Sequence, residues 1–361
     1  MNIFIVILLL FALLGAVDKI IGGKLGVAEE FDRGLASMGP LCLSISGVYC
    51  IAVTALSSHP ETIAGLSAVL PFDPSLIAGA LLAPDMGGYA IATQLAASQP
   101  LALFSGLMVS STLGCLISFV LPISLGGLPS YEVPGFMQGV LWGIIALPVA
   151  LVAGGLLLGL PFPVLASNSW PVLLLCAALC LALRLVPRGC IRVLSGLGQL
   201  VRIAGILLFC LVTLGVFVPA WSVAEGALFQ EVLVIVFKIA VTLCGSTVAC
   251  GLLLSHCGGA IDAVAEKLGV NRYAAVGLFV SLATSVSMIP LYSRMDTRGK
   301  ILNAAFAVSG AFVFGGQLAF VSSVESGSVG AYIVCKLAGG IAALLLAGAF
   351  TKNLKPAENG I

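Results

Sequence analysis

Apolar residues fall in long blocks separated by short polar stretches, at about 2–18, 34–57, 74–97, 101–127, 135–160, 169–187, 198–220, 230–256, 271–293, 301–323 and 328–350. Most blocks approach or exceed the roughly 20 apolar residues a helix needs to cross the hydrocarbon of a bilayer. The pattern predicts an all-α polytopic membrane protein of about 11 hydrophobic elements, with no soluble domain large enough to interrupt them. Two blocks break their own pattern. Residues 74–97 hold "LLAPDMGGYAIA" at their centre, and residues 271–293 hold "ATSVSMIP". Proline and glycine interrupt a helix, and a carboxylate is costly in hydrocarbon. The arms flanking each break are about 10–12 residues long, so at ~1.5 Å per residue each reaches about half of a ~30 Å core. Both elements read as re-entrant hairpins or broken helices.

The two interrupted blocks lie about 200 residues apart, which suggests an internal repeat. The same shift lays "LLLFALLGAV" (8–17) on "LLFCLVTLGV" (207–216), Leu82-Ala83 on Leu282-Ala283, and "LALFSGLMVS" (101–110) on "ILNAAFAVSG" (301–310). Elements 1–5 look equivalent to elements 7–11, with element 6 as a connector. The expected organisation is a first repeat over 1–165, a connector helix and loop over 166–195, a second repeat over 196–351, and a polar tail over 352–361. The tail is expected to be disordered.

Lysine and arginine then decide the topology, because cytoplasmic loops are enriched in them. If all eleven elements cross, Lys19, Lys24, Arg33, Arg294, Arg298, Lys300, Lys352 and Lys355 oppose Arg184, Arg188, Arg192, Arg202, Lys267 and Arg272. If 74–97 and 271–293 return to the side they entered, every one of these cations falls on one side. That arrangement is preferred. It places the N-terminus in the periplasm and the C-terminus in the cytoplasm of a bacterial inner (plasma) membrane, and makes the two five-element repeats inverted copies, as in many transporters. The N-terminal block reads as a retained first helix, since it lacks the basic start and the cleavage pattern of a signal peptide. Lys238 and Lys336 lie about eight residues inside the outer ends of their helices and are expected to snorkel outward.

Composition agrees. Sixty per cent of the residues are hydrophobic and nine per cent charged, against roughly a quarter charged in soluble proteins. A net charge of +1 gives no reason to expect a nucleic-acid partner. The eleven cysteines form no C-x-x-C, and only His59 and His256 exist to help them. Neither a disulfide framework nor a metal site is predicted, and cysteines such as Cys42, Cys176, Cys180 and Cys244 are expected to pack as small hydrophobes.

The candidate chemistry sits at the breaks. Non-helical backbone at membrane depth survives only where protein buries it or where it lines a wet cavity. Pro84 ends the entering arm, and Gly87 and Gly88 permit a tight turn whose backbone groups can meet a ligand. Asp85 beside Met86 is a natural counter-ion for a small cation; the alternative is that it caps the returning arm. Thr284, Ser285 and Ser287 offer hydroxyls to a ligand or to their own backbone. Gln317 in "FGGQLAF" is costly to leave unpaired and is expected inside the bundle, with or without a substrate contact. In "SRMDTRGK" (293–300), Asp296 neutralises Arg294, Arg298 and Lys300 in a topological anchor, which is preferred to a cytoplasmic latch. In "EEFDRG" (29–34), Asp32 reads as a helix N-cap.

The strings "AVDKI" (16–20), "ALLAPDMGGYAIATQLA" (80–96) and "MDTRGKILNAAFAVSGAF" (295–312) resemble the EutH family, the ethanolamine permeases encoded with bacterial ethanolamine-utilisation genes. The resemblance covers nearly the whole chain in the same order and implies uptake of ethanolamine. Asp85, Gly87 and Gly88 keep the family pattern. Gly316-Gln317 stand where the family has an acid–His pair, and Thr284-Ser285 where it has an Asn pair; members are also usually longer between helices 1 and 2. These departures leave room for a shifted substrate or coupling ion.

The leading expectation is therefore a permease for ethanolamine or a related small amine, working by alternating access with Asp85 as counter-ion. The alternatives are a channel-like facilitator of neutral amine, or a carrier of a different small polar solute. With no nucleophile–base arrangement and no metal-ligand spacing, neither an enzyme nor a cofactor is expected. The expected partners are a small amine and the lipid bilayer, with a coupling ion and a homo-oligomer both left open.

Overall fold

The computed structural model describes residues 3–58, 69–224, 226–256 and 258–352. His59, Lys355 and nearly all of the tail lie outside them. The described residues form α1 (Ile3–Ile20), α2 (Ala28–Ala36), α3 (Met38–Ser57), α4 (Ser75–Leu81), α5 (Gly88–Leu95), α6 (Gln99–Leu125), α7 (Val133–Leu157), α8 (Phe162–Leu185), α9 (Pro187–Phe217), α10 (Gly226–His256), α11 (Gly258–Leu268), α12 (Arg272–Ala283), α13 (Thr297–Ser309), α14 (Gly316–Val324) and α15 (Val329–Phe350). Among the described residues, seven stretches are long and apolar enough to cross a membrane: α2–α3 together, α6, α7, α8, the second part of α9, α10 and α15.

Beyond the single-residue turn at Ser37 that divides 34–57 between α2 and α3, three of the predicted elements are broken helices. Two are the anticipated breaks. The third, 301–323, divides into α13 and α14 around residues 310–315. Its sequence "GAFVFG" holds no proline or charge, and its only local signal is Gly310 with the Gly315-Gly316 pair.

Both predicted breaks fold back on themselves. The carboxylate of Asp73, just ahead of α4, accepts from the Ser75 N–H at 3.0 Å and from the Ala97 N–H, just past α5, at 2.8 Å. One side chain thereby caps the entering arm and ties it to the returning one. At the second break Asp296 caps α13 through the Gly299 N–H (3.3 Å) and accepts from the Asn271 N–H at the start of α12 (2.9 Å). The Asn271 amide closes the same base by donating to Arg294 O at 2.8 Å. Replacing Asp73 by Ala leaves these N–H groups without their acceptor, at a cost of about 2–3 kcal/mol. The expected result is a lowered melting temperature in detergent, partly restored in Asp73→Asn. Unchanged melting in Asp73→Ala would show that the tie contributes nothing.

At the start of the chain, Asp18 accepts from the N–H groups of Leu25 (2.6 Å), Val27 (2.8 Å) and Ala28 (2.9 Å), which caps α2 from a distance. Asp32 is therefore not the expected N-cap. It lies inside α2 and pairs with Lys19.

The core is built on close helix approach. Residues 301–309 of α13 are all buried between α7 and α15, and glycines on those flanking helices allow it, as small residues do in membrane packing. A Cβ at Gly139 of α7 would lie 2.4 Å from Ile301 O, and one at Gly340 of α15 would lie 2.8 Å from Gly310 Cα. Other glycines allow close approaches elsewhere in the bundle. Gly245 of α10 lies against Leu8 of α1, and Gly47 of α3 against Leu208 and Phe209 of α9. Gly79 of α4 lies against Ser105 of α6, and Gly277 of α12 against Asn303 of α13. Gly114 of α6 lies against Leu82, and Gly315 against Ala283.

Candidate functional site

The backbone freed at each break is claimed by neighbouring side chains, as the lack of water in hydrocarbon requires. At the first, Ser110 of α6 donates to Leu82 O (2.5 Å), and Ser118 of α6 accepts from the Ala83 N–H (3.0 Å). Pro84–Met86 then make one 3-10 turn, and Gly87 reverses the chain at φ +101°, where an L side chain is strained. Gly88 packs so closely that a Cβ would meet the Ser110 hydroxyl at 2.2 Å.

At the second break the unwound segment 310–315 lies along the end of α12. Phe312 and Phe314 donate their N–H groups to Ser281 O (3.0 Å) and Leu282 O (2.9 Å). Ser246 of α10 donates to Phe314 O, and Tyr332 of α15 donates to Phe312 O at 2.8 Å. Phe312 is held at φ +64°, a conformation rare for a bulky side chain and characteristic of strained functional segments.

These two breaks meet at the deep end of a cavity of about 520 Å³. Ala83, Asp85 and Met86 form one wall, Ala283 and Thr284 another, and Gly316 with Gln317 a third, with Cys115, Phe119 and Phe312 between them. The cavity continues along the C-terminal half of α10, past Leu243, Thr247 and Gly251, to a mouth at Glu30 and Arg33, which pair at 2.7 Å. Of the residues singled out in the sequence, Asp85, Met86, Thr284 and Gln317 line this space. Gly87, Gly88 and Ser285 do not: the glycines shape the turn, and Ser285 is buried behind it. Ser287, at the second tip, also lines it.

Among the described residues Asp85 has no ion-pair partner, and its carboxylate bonds only its own backbone N–H. The capping alternative is not what forms, because α5 has no side-chain cap. Thr284 does use its hydroxyl locally, accepting from the Val286 N–H at 3.4 Å.

Lys336 corrects a sequence-based expectation. It does not snorkel: it is 1% exposed, and its ammonium donates to Ser111 O of α6 (2.7 Å) and to the Gln317 side-chain oxygen (3.2 Å). Depth gave no signal, since Lys238 lies at least as far inside its own helix and is exposed. Lys238, by contrast, is exposed and lines a second cavity of about 360 Å³ with Tyr49, Tyr89 and Glu231, on the N-terminal half of α10. Tyr89 in this second space packs edge-on to Phe320 at 5.7 Å with its hydroxyl on Glu325 at 3.2 Å. In the "SRMDTRGK" cluster Asp296 does not neutralise its basic neighbours as expected: among the described residues it forms no ion pair, and its carboxylate accepts from the Asn271 and Gly299 N–H groups. Arg298 donates to Leu268 O and Gly348 O, and Lys300 pairs at 3.0 Å with the buried Glu132.

Comparison with known proteins places the chain. The family described as "Ethanolamine utilisation protein, EutH" matches residues 1–350. A probable ethanolamine permease EutH of Listeria monocytogenes is 33% identical over 99% of this chain and 96% of its own length. The uncharacterized protein YxeR of Bacillus subtilis is 31% identical over 96% and 93%. A probable ethanolamine permease EutH of Salmonella typhimurium is 30% identical over 95% and 93%. No solved structure matches. Full-length matches to this one family, together with seven helices of membrane-crossing length, make this a multi-pass membrane protein that belongs to the EutH family.

Proposed function

We propose that the chain carries ethanolamine, or a closely related small amine, across the bacterial inner membrane, with Asp85 as the counter-ion of the substrate ammonium. The observation that carries this reading is the meeting of two broken elements, far apart in sequence, at one end of a single cavity. There an unpaired carboxylate faces neutral polar groups from the other break. Intramembrane acids of this kind mark substrate or ion pathways, and broken helices at such depth serve to present backbone and side chains to a solute. The names of the Listeria and Salmonella relatives agree with transport rather than catalysis.

Alternating access is the mechanism we favour. The support for it is that one cavity opens along each half of α10. The inverted-repeat organisation, with repeats at 1–165 and 196–351 around a 166–195 connector, is supported by the paired close contacts. Gly245–Leu8 and Gly47–Leu208 exchange under a shift of about 200 residues, as a two-fold relation between halves requires. The Gly79–Ser105 and Gly277–Asn303 contacts, and Gly114–Leu82 and Gly315–Ala283, correspond in the same way. On the preferred topology, with the N-terminus periplasmic and the C-terminus cytoplasmic, the mouth at Glu30 and Arg33 faces the cytoplasm.

Counterflow in proteoliposomes tests the carrier. Liposomes loaded with unlabelled ethanolamine are expected to accumulate labelled ethanolamine transiently, with saturation. Conductive uptake without exchange would assign a channel-like facilitator instead, and no ethanolamine flux of either kind would leave another small polar solute as cargo.

A further inference from the structure

The two ends of the Gln317 amide meet different partners. Its side-chain oxygen receives the Lys336 ammonium at 3.2 Å and lies 3.4 Å from the Tyr332 hydroxyl, whose proton goes mainly to Phe312 O at 2.8 Å. All three side chains are buried: Gln317 is 3% exposed, Lys336 1% and Tyr332 0%. A lysine ammonium has donors and no acceptor, so the amide atom facing it has to be the oxygen. That fixes which way the amide is turned. Its NH2 group is directed to the other side, where it meets the Cys115 thiol and the cavity that both residues line.

Lys336 is itself held independently of Gln317. Its ammonium donates to Ser111 O at 2.7 Å, within the π-helical part of α6, and lies 6.0 Å from the Tyr332 ring centre. None of its partners is a carboxylate. The role of the ammonium is therefore directional: it occupies the acceptor end of an amide that could otherwise turn either way. The deep end of the cavity then carries an acceptor at Asp85 and a donor at Gln317, and the turn holding Asp85 packs directly against α14, which carries Gln317.

We propose that Lys336 is a positioning residue that fixes the polarity of Gln317 and so sets the class of solute taken: small molecules with an ammonium at one end and a hydrogen-bond acceptor at the other. This rests on the reading of the cavity as an amine site and refines it. An amino alcohol meets the requirement through its hydroxyl oxygen. A simple alkylamine lacks the acceptor, and a doubly protonated diamine sets a donor against a donor, which costs the hydrogen bonds of both.

The test uses two amines that differ by one oxygen in place of one methylene, 2-methoxyethylamine and n-butylamine, as competitors of labelled ethanolamine binding to the full-length protein in proteoliposomes. The ether oxygen accepts but cannot donate. The wild type is expected to prefer 2-methoxyethylamine by about tenfold, the worth of one buried hydrogen bond. In Lys336→Met the amide is free to turn, and the preference is expected to fall to within about twofold, while competition by n-butylamine is retained. Gln317→Glu keeps the size of the side chain and pairs with Lys336, so it is expected to fold. It offers only acceptors, and should lose the preference in the same way. Because the readout is a ratio within each variant, a reduced folded fraction does not alter it. A preference that survives in both variants, or a wild type that favours n-butylamine, would overturn the assignment of Lys336. A wild type that binds none of the three amines would instead sink the amine site itself.

Discussion

Replacing Asp85 by Asn is expected to reduce ethanolamine uptake at least about 30-fold, the effect of removing one member of a buried charge pair. The variant should still reach the membrane and purify as a folded protein. The reason lies in what Asp85 does in the unloaded structure: it pairs with no cation and caps no helix, so its neutral isostere breaks no structural contact. Asn also keeps the size of the side chain, in a turn whose shape is set by Pro84 and Gly87 rather than by the carboxylate. The measurement is uptake of labelled ethanolamine by cells or proteoliposomes at matched protein level, beside the melting temperature in detergent. Undiminished uptake by Asp85→Asn would remove the counter-ion role. Loss of uptake together with loss of the folded protein would show that the carboxylate is structural.

The second large effect is expected from a single methyl group. Gly315 and Gly316 are neighbours, both at the start of α14, yet they meet different surroundings. A Cβ at Gly315 would lie 1.7 Å from Ala283 O and 2.7 Å from its carbonyl carbon, so backbone must move. A Cβ at Gly316 would meet only the Leu243 side chain at 3.8 Å, an ordinary contact, although Gly316 lines the cavity. Gly315→Ala is therefore expected to destabilise the protein by about 1–3 kcal/mol, as overpacking does. It pushes Ala283, and with it Thr284, away from Gln317. Ethanolamine affinity is expected to fall with stability. Gly316→Ala should melt at or above the wild-type temperature, since alanine favours the helix. Equal melting of the two variants would contradict the seating of the second hairpin against the 310–315 break.

The features legible in the sequence are those whose physical cause is local. Proline, an acid and paired glycines clustered within five residues at 84–88, and a polar run at 284–287, mark a break where a lone Pro148 or Pro171 leaves its helix continuous, so both hairpins and their tips could be located from the clustering of residue types. Asp85 was legible because a carboxylate in an apolar block needs a reason. The candidates that line the cavity are the side chains at those tips, Asp85, Met86, Thr284 and Ser287, together with Gln317. Other features had no local cause. Ser110 and Ser118 look like small residues of an ordinary apolar helix, and only their positions opposite Leu82 and Ala83 make them the partners of broken backbone. Asp32 stands where an N-cap is plausible, but Asp18, ten residues ahead of Ala28, takes the capping role because the chain turns back through Gly22, Gly23 and Gly26.

By itself, then, the sequence determined that the chain is a helical multi-pass membrane protein and where two of its apolar elements are interrupted. Hydrocarbon sets those features through length and polarity, one segment at a time. The tertiary structure decided which interrupted segments meet, that a third break at 310–315 joins them, and that Lys336 is buried against Gln317 instead of reaching for water. Each of these depends on a partner supplied by another helix. A buried polar group is stable only where such a partner stands within hydrogen-bond reach, and that proximity is a property of the packed bundle.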